Sequence, residues 1–208
     1  MTARQMAAAE TKKKLMEAGR RIIFEKGLTG TSVEEITAAA GVSKGTFYTY
    51  FTRKEDIITE LRYGAFGDIL KEAKTLPGNF EAKLRYYMTR FSAHIEESGA
   101  KMAQDWVRNV VNPVLVKGTT SEGKLLYDLT CIHKLFEYGV KNDLLKTDTP
   151  AEYLAHTLMD MLYGQMLCWA MSEGTYSLEA RTAEFCDAAL HGMLGPYASH
   201  CCERPVDC

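Results

Sequence analysis

Residues 32–51 read Ser-Val-Glu-Glu-Ile-Thr-Ala-Ala-Ala-Gly-Val-Ser-Lys-Gly-Thr-Phe-Tyr-Thr-Tyr-Phe. A short amphipathic helix, a tight turn holding a glycine and a second short helix succeed one another here, the form of a helix-turn-helix. Ala39 and Ala40 keep side chains small beside Gly41, so the two helices can approach closely. Ile36, Val42, Phe47 and Phe51 are the spaced apolar residues that bury an inner face. Lys44, Thr46, Tyr48, Thr49 and Tyr50 then fall on the outer face of the second helix. Hydroxyls, phenols and a lysine so placed can reach phosphates and base edges when the helix lies in a major groove.

The flanks extend the helical pattern in both directions. Upstream, Leu15, Ala18, Ile22 and Ile23 recur at three- and four-residue spacing, predicting a helix over Thr11–Lys26 that Gly27 ends. Thr31 with Glu34, or Ser32 with Glu35, can form a capping box opening the next helix. Downstream, Thr52 with Glu55 offers another, leading through Leu61, Phe66, Ile69 and Leu70 to about Thr75. Pro77-Gly78-Asn79 breaks the chain. Further helices are predicted near 80–97, 100–111, 121–143, 149–172 and 177–194, separated by Gly99, Pro113, Gly118 and Gly174. Thr149-Pro150-Ala151-Glu152 supplies an N-cap, a first-turn proline and a capping glutamate to one of them. No alternating β-branched run competes. The expected architecture is all-α with about nine helices: an N-terminal three-helix helix-turn-helix domain over 1–58, and a C-terminal helical ligand-binding and dimerisation domain over 59–208.

Composition bounds the class. The 208 residues are 46% hydrophobic and 25% charged, with five prolines and sixteen glycines, ordinary values that exclude collagen-like and disordered chains. No apolar run approaches the roughly 18 residues of a membrane helix. The N-terminus is polar and runs into Lys12-Lys13-Lys14, unlike a secretion signal, so a cytoplasmic protein with no membrane partner is expected. The net charge of −2 first speaks against nucleic acid, but it is unevenly placed. Residues 1–62 hold eleven Lys and Arg against eight Asp and Glu, and the remainder fourteen against nineteen. A basic head of +3 thus precedes an acidic body of −5. The six cysteines are expected to be reduced thiols rather than a disulfide framework.

Gly-Val-Ser-Lys-Gly-Thr-Phe-Tyr-Thr-Tyr-Phe followed by Thr-Arg-Lys-Glu-Asp-Ile closely resembles the DNA-binding segment of the TetR-type (tetracycline repressor-like) regulators. The flanks agree: Phe24-Glu25-Lys26-Gly27 closing the first helix and Thr31-Ser32-Val33-Glu34-Glu35-Ile36 opening the second. The resemblance covers about residues 10–58. It departs at Tyr50, which stands where the family often has histidine. It implies that Thr31 or Ser32 meets a phosphate, and that Ser43, Lys44, Gly45 and Thr46 lead the recognition helix. Tyr48 and Tyr50 would contact the backbone or thymine methyls beside Thr49, and Lys54 would clamp a phosphate. The function implied is a homodimeric, ligand-responsive repressor. It would bind a palindromic double-stranded DNA operator and be released by a small apolar or aromatic effector.

The remainder is rich in large soft side chains, mostly core with methionine filling gaps. Under the resemblance, a subset lines an effector pocket: Phe66, Met88, Phe91, Met102, Trp106, His133 and Tyr163, with Trp106 and Tyr163 each offering an apolar face and one polar handle. Asp160, Gly164 and Cys168 form a stripe along 149–172, and Ala183, Leu190 and Leu194 along 177–194. A two-fold four-helix dimer interface would bury both. The tail with Cys201, Cys202 and Cys208 could bind a soft metal or sense oxidation, but it matches no tetrahedral zinc spacing, so a reduced tail with no metal and no cofactor is the expectation. No H-E-x-x-H, G-x-S-x-G or phosphate-cradling glycine loop supports an enzyme.

Overall fold

The computed structural model describes residues 2–111 and 121–199. Pro113, Gly118 and the Cys201, Cys202 and Cys208 tail lie outside them. Among the described residues the chain is helical throughout, and its one β-bridge pairs Leu145 with Ala198.

The first three helices are α1 (Ala3–Lys26), α2 (Val33–Ala40) and α3 (Lys44–Tyr50). Leu15, Ala18 and Ile22 of α1 pack with Ile36, Phe47, Phe51 and Ile57 in one small core. α1 begins eight residues before the predicted Thr11, because Thr2 and Gln5 cap each other reciprocally and alanines, the best helix formers, follow. α2 uses the second of the two candidate boxes: Ser32 Oγ accepts from the Glu35 amide, and the Glu35 carboxylate accepts from the Ser32 amide.

The long α4 (Glu55–Thr75) leaves this core at Ile57 and enters a larger one at Phe66. Its start is not the predicted Thr52–Glu55 box. Asp56 instead accepts both the Thr52 and Arg53 amides at 2.8 Å, since a carboxylate one residue on reaches two donors at once. Its end is closed by the buried Lys83 of α5 (Phe80–Ser98), which donates to the carbonyls of Lys74 and Leu76.

The larger core joins α4 and α5 to α6 (Ala100–Val111), α7 (Ser121–Lys141), α8 (Ala151–Met171) and α9 (Leu178–Phe185). Thr149 does not cap α8: its hydroxyl turns back onto the Lys146 carbonyl at 2.6 Å. The predicted 177–194 helix is interrupted by a π-turn, Cys186–Leu190, before α10 (His191–Leu194). Leu178, Thr182, Cys186, Leu190 and Leu194 are all buried at four-residue intervals. An α-helix drifts about 40° per such step, and the wider turn takes up part of that drift.

Candidate nucleic-acid interface

Between α2 and α3, Gly41 adopts the left-handed conformation (φ 67°) that turns the chain. Ser43 caps α3 by accepting from the Thr46 amide at 3.1 Å, and the two hydroxyls are 2.8 Å apart. Phe47 is fully buried against Phe51, their rings 5.4 Å apart, which fixes the face α3 turns outward. Ser43, Lys44, Gly45, Tyr48 and Thr49 are exposed, Tyr48 by 55%, while Thr46 and Tyr50 are half-buried. A Cβ built on Gly45 would meet only Ser43 Oγ at 3.7 Å. Nothing within the chain therefore demands a glycine there.

Charges on and beside this face are paired. Lys44 binds Glu34 of α2, and each is the main cause of the other's shift: the ammonium is raised and the carboxylate lowered. Lys26 binds Glu35, whose carboxyl is lowered to about 2 by Lys26 first and the Ser32 amide and hydroxyl next.

Two of the expected phosphate contacts are directed elsewhere. Thr31 is buried and its hydroxyl donates to the Gly27 carbonyl at 2.8 Å, because it closes the α1–α2 loop from inside. Of the pair Thr31 or Ser32, only Ser32 remains near the surface, half-buried. Lys54 Nζ donates to the Leu28 and Thr31 carbonyls, each at 2.6 Å, so its ammonium grips the same loop. From the opposite side the buried Asp105 of α6 accepts the Leu28 amide at 2.8 Å. Residues 28–31 are thus held by α4 and α6 together, with Ile23, Leu28 and Met102 forming a small apolar cluster beneath. The sequence reading missed Asp105. Its signal was a carboxylate inside the apolar rhythm Met102-Ala103-Trp106.

In the body, Phe66 and Phe91 stack at 4.5 Å in the main core with Met88, and Trp106 lies 5.3 Å from Tyr163. Tyr163 donates to Asp128 at 2.7 Å. These five proposed effector residues belong to one neighbourhood. Met102 does not: it sits at the junction with α1. His133 does not either, because it faces outward on α7 beside Glu137, 3.6 Å away. Sequence reasoning also missed Tyr87, fully buried with no hydrogen-bond partner for its hydroxyl among the described residues. Burial first, then the nearby Cys131, Asp128, Tyr127 and Tyr163, hold that phenol well above its usual range. A cleft of about 540 Å³ opens between α4 and α7, lined in part by Leu70, Lys74, Tyr127 and Lys134.

Of the expected dimer residues, Asp160, Gly164 and Cys168 are exposed on α8, on a face that also shows Tyr153 (69% exposed) and Met171 (76%). Ala183 is half-buried. Leu190 and Leu194 are corrected: both are buried in the chain's own core, because the π-turn keeps them on its inner side. Among the described residues, no three His, Cys, Asp or Glu side chains gather as a metal set, and no helix is long and apolar enough to cross a membrane.

Residues 15–61 match the family model described as bacterial regulatory proteins, tetR family. The chain is 34% identical over 92 residues to the HTH-type transcriptional repressor DhaR of Mycobacterium sp. (strain GP1), a match spanning 44% of this chain and 46% of that one. It is 22% identical over 191 residues to the repressor KstR2 of Rhodococcus jostii (strain RHA1), covering 88% and 91% of the two chains. A putative TetR-family regulator from Mesorhizobium loti superposes over 95% of this chain and 100% of its own, with a TM-score of 0.68 at 21% identity. The helix-turn-helix geometry and its surrounding core agree with these likenesses: residues 15–61 are similar to the tetR family of bacterial regulatory proteins, and the chain as a whole shares the helical fold of the TetR-type structure it superposes on.

Proposed function

We propose that the protein is a homodimeric repressor that reads a palindromic operator through α3 and releases it when a small molecule enters the body. The observation that carries this reading is the outward face of α3, where Ser43, Lys44, Gly45, Tyr48 and Thr49 stand exposed around a fully buried Phe47. Ser32 at the α2 N-terminus adds a second phosphate-facing position. One such head, with a surplus of only three positive charges, binds weakly. Two heads about one DNA turn apart, or a multiple of it, bind as a unit. The exposed α8 face of Tyr153, Asp160, Gly164, Cys168 and Met171 is the surface assigned to pairing. Gly164 has open space around it, so a partner helix can approach closely. Effector binding shifts the population toward a dimer whose two α3 helices are wrongly spaced. The protein then acts in the compartment that holds the DNA, the cytoplasm.

Gel retardation with the DNA upstream of its own gene tests the reading. Sequence-specific retardation that a small apolar or aromatic compound reverses is the expected result. Binding no stronger than to random DNA at physiological salt overturns it.

A further inference from the structure

The cleft between α4 and α7 has a chemistry of its own. Leu70, Leu126 and Tyr127 give it an apolar wall, Cys131 lies at its floor, and Lys71, Lys74 and Lys134 stand around it. None of its described lining residues is acidic. Lys71 is already paired with Asp68 at 2.8 Å, which leaves Lys74 and Lys134 to dominate the charge. Both ammonium groups are close enough to Cys131 to favour its thiolate, although burial wins and raises the thiol. Lys74 Nζ stands 5.7 Å from the centroid of the Tyr138 ring, at one end of the cleft.

Tyr127 adds a neutral side chain whose hydroxyl hydrogen-bonds Cys131. Burial, with Cys131 and the Asp128 and Asp68 carboxylates behind it, pushes its phenol up to about 12, so it keeps its proton at any physiological pH. Gly67 makes room for that hydroxyl: a Cβ there would stand 3.1 Å from Tyr127 Oη. Two cations beside an apolar wall complement an anion carried on an apolar body. The cleft's volume of about 540 Å³ lies in the range of small-molecule sites.

We propose that the α4–α7 cleft binds a small amphipathic carboxylate, its head between Lys74 and Lys134 and its apolar body along Leu70, Leu126 and Tyr127. As an effector site this rests on the ligand-responsive reading above, but the binding itself does not. The coupling route is α4, which carries Lys74 near one end and is preceded at the other by its cap residue Lys54, holding the Leu28 and Thr31 carbonyls. A ligand that draws α4 toward α7 therefore pulls on the loop that opens α2.

Isothermal titration of the full chain, without DNA, tests it with three probes of one chain length: decanoate, decanol and decyltrimethylammonium. Decanoate is expected to bind about tenfold or more tightly than decanol, the range of a charge-assisted contact. The Lys74→Met/Lys134→Met variant keeps the apolar stems, so its decanol affinity should hold while decanoate falls to within about threefold of decanol. Lys134→Glu should weaken decanoate and strengthen the ammonium probe. Equal affinity of the native chain for decanoate and decanol overturns the proposal, as does a double variant that keeps the native preference. Because no DNA is present, failure here leaves the repressor reading standing. A failed gel retardation likewise leaves this result intact.

Discussion

Gly45 is exposed on the leading turn of α3, with no neighbour that a methyl group would strike. A glycine inside a helix costs roughly 0.5–1 kcal/mol relative to alanine, so within this chain alanine is the better residue. Under the proposed function, the glycine lets a DNA surface approach α3 closely. Gly45→Ala is expected to raise the denaturation midpoint slightly while weakening operator binding at least tenfold; unchanged retardation would remove Gly45 from the interface. Glu35 makes a second residue-scale prediction. Its carboxyl is lowered to about 2 by Lys26, with Ser32 assisting. A lowered carboxylate stabilises the fold above its unfolded pKa, near 4.5, and that contribution is lost as pH falls toward 2. Urea midpoints measured between pH 5 and pH 2 should thus fall less steeply for Glu35→Gln than for the native chain. An equally steep acid limb would show that the exposed pair contributes nothing.

At the scale of elements, the α1–α2 loop is the joint of the molecule. Lys54 at the α4 entry holds its carbonyls from within the head and Asp105 of α6 holds its amide from the body, so one loop answers to both. A lysine that touches a phosphate directly changes the salt dependence of binding by about one unit when it is removed. A lysine that holds a loop changes affinity without changing that slope. For Lys54→Met the second outcome is expected: weaker binding at every salt concentration, with a parallel plot of log affinity against log salt. A slope reduced by a full unit would return Lys54 to the phosphate. Asp105→Ala should leave the Leu28 amide buried without this acceptor and cost about 1–3 kcal/mol in urea unfolding.

For the whole molecule, the surface proposed for pairing is the outer face of α8. Gly164 lies there in open space, so a large side chain at this position disturbs nothing within one chain. Gly164→Arg should leave the fold and its thermal midpoint unchanged at low protein concentration. If the protein pairs as proposed above, sedimentation should show this variant as monomer where the native chain is dimer, and operator affinity should fall at least tenfold because two heads no longer bind together. A variant that remains dimeric would move the interface to another face.

The helix-turn-helix was legible because its determinants are local. Gly41, the caps at Ser32 and Ser43, and the spacing of Ile36, Phe47 and Phe51 act over a few residues, and each is satisfied within or next to its own helix. The all-helical class followed from the same short-range periodicity. What failed needed three dimensions. Lys54 and Thr31 read as outward donors because the sequence does not show that their partners, the Leu28, Thr31 and Gly27 carbonyls, lie within reach. Leu190 and Leu194 read as one stripe with Ala183 because the sequence does not announce the π-turn that rotates them inward. The α4–α7 cleft unites Lys74 with Lys134, and Asp105 meets Leu28, across separations that periodicity cannot span. The sequence by itself determined the reading head and the helical class, since hydrogen bonding and burial within one or two turns decide them. Only the tertiary structure decided which side chains are spent holding the head to the body and which remain to meet a ligand, since long-range packing allocates each donor and cation.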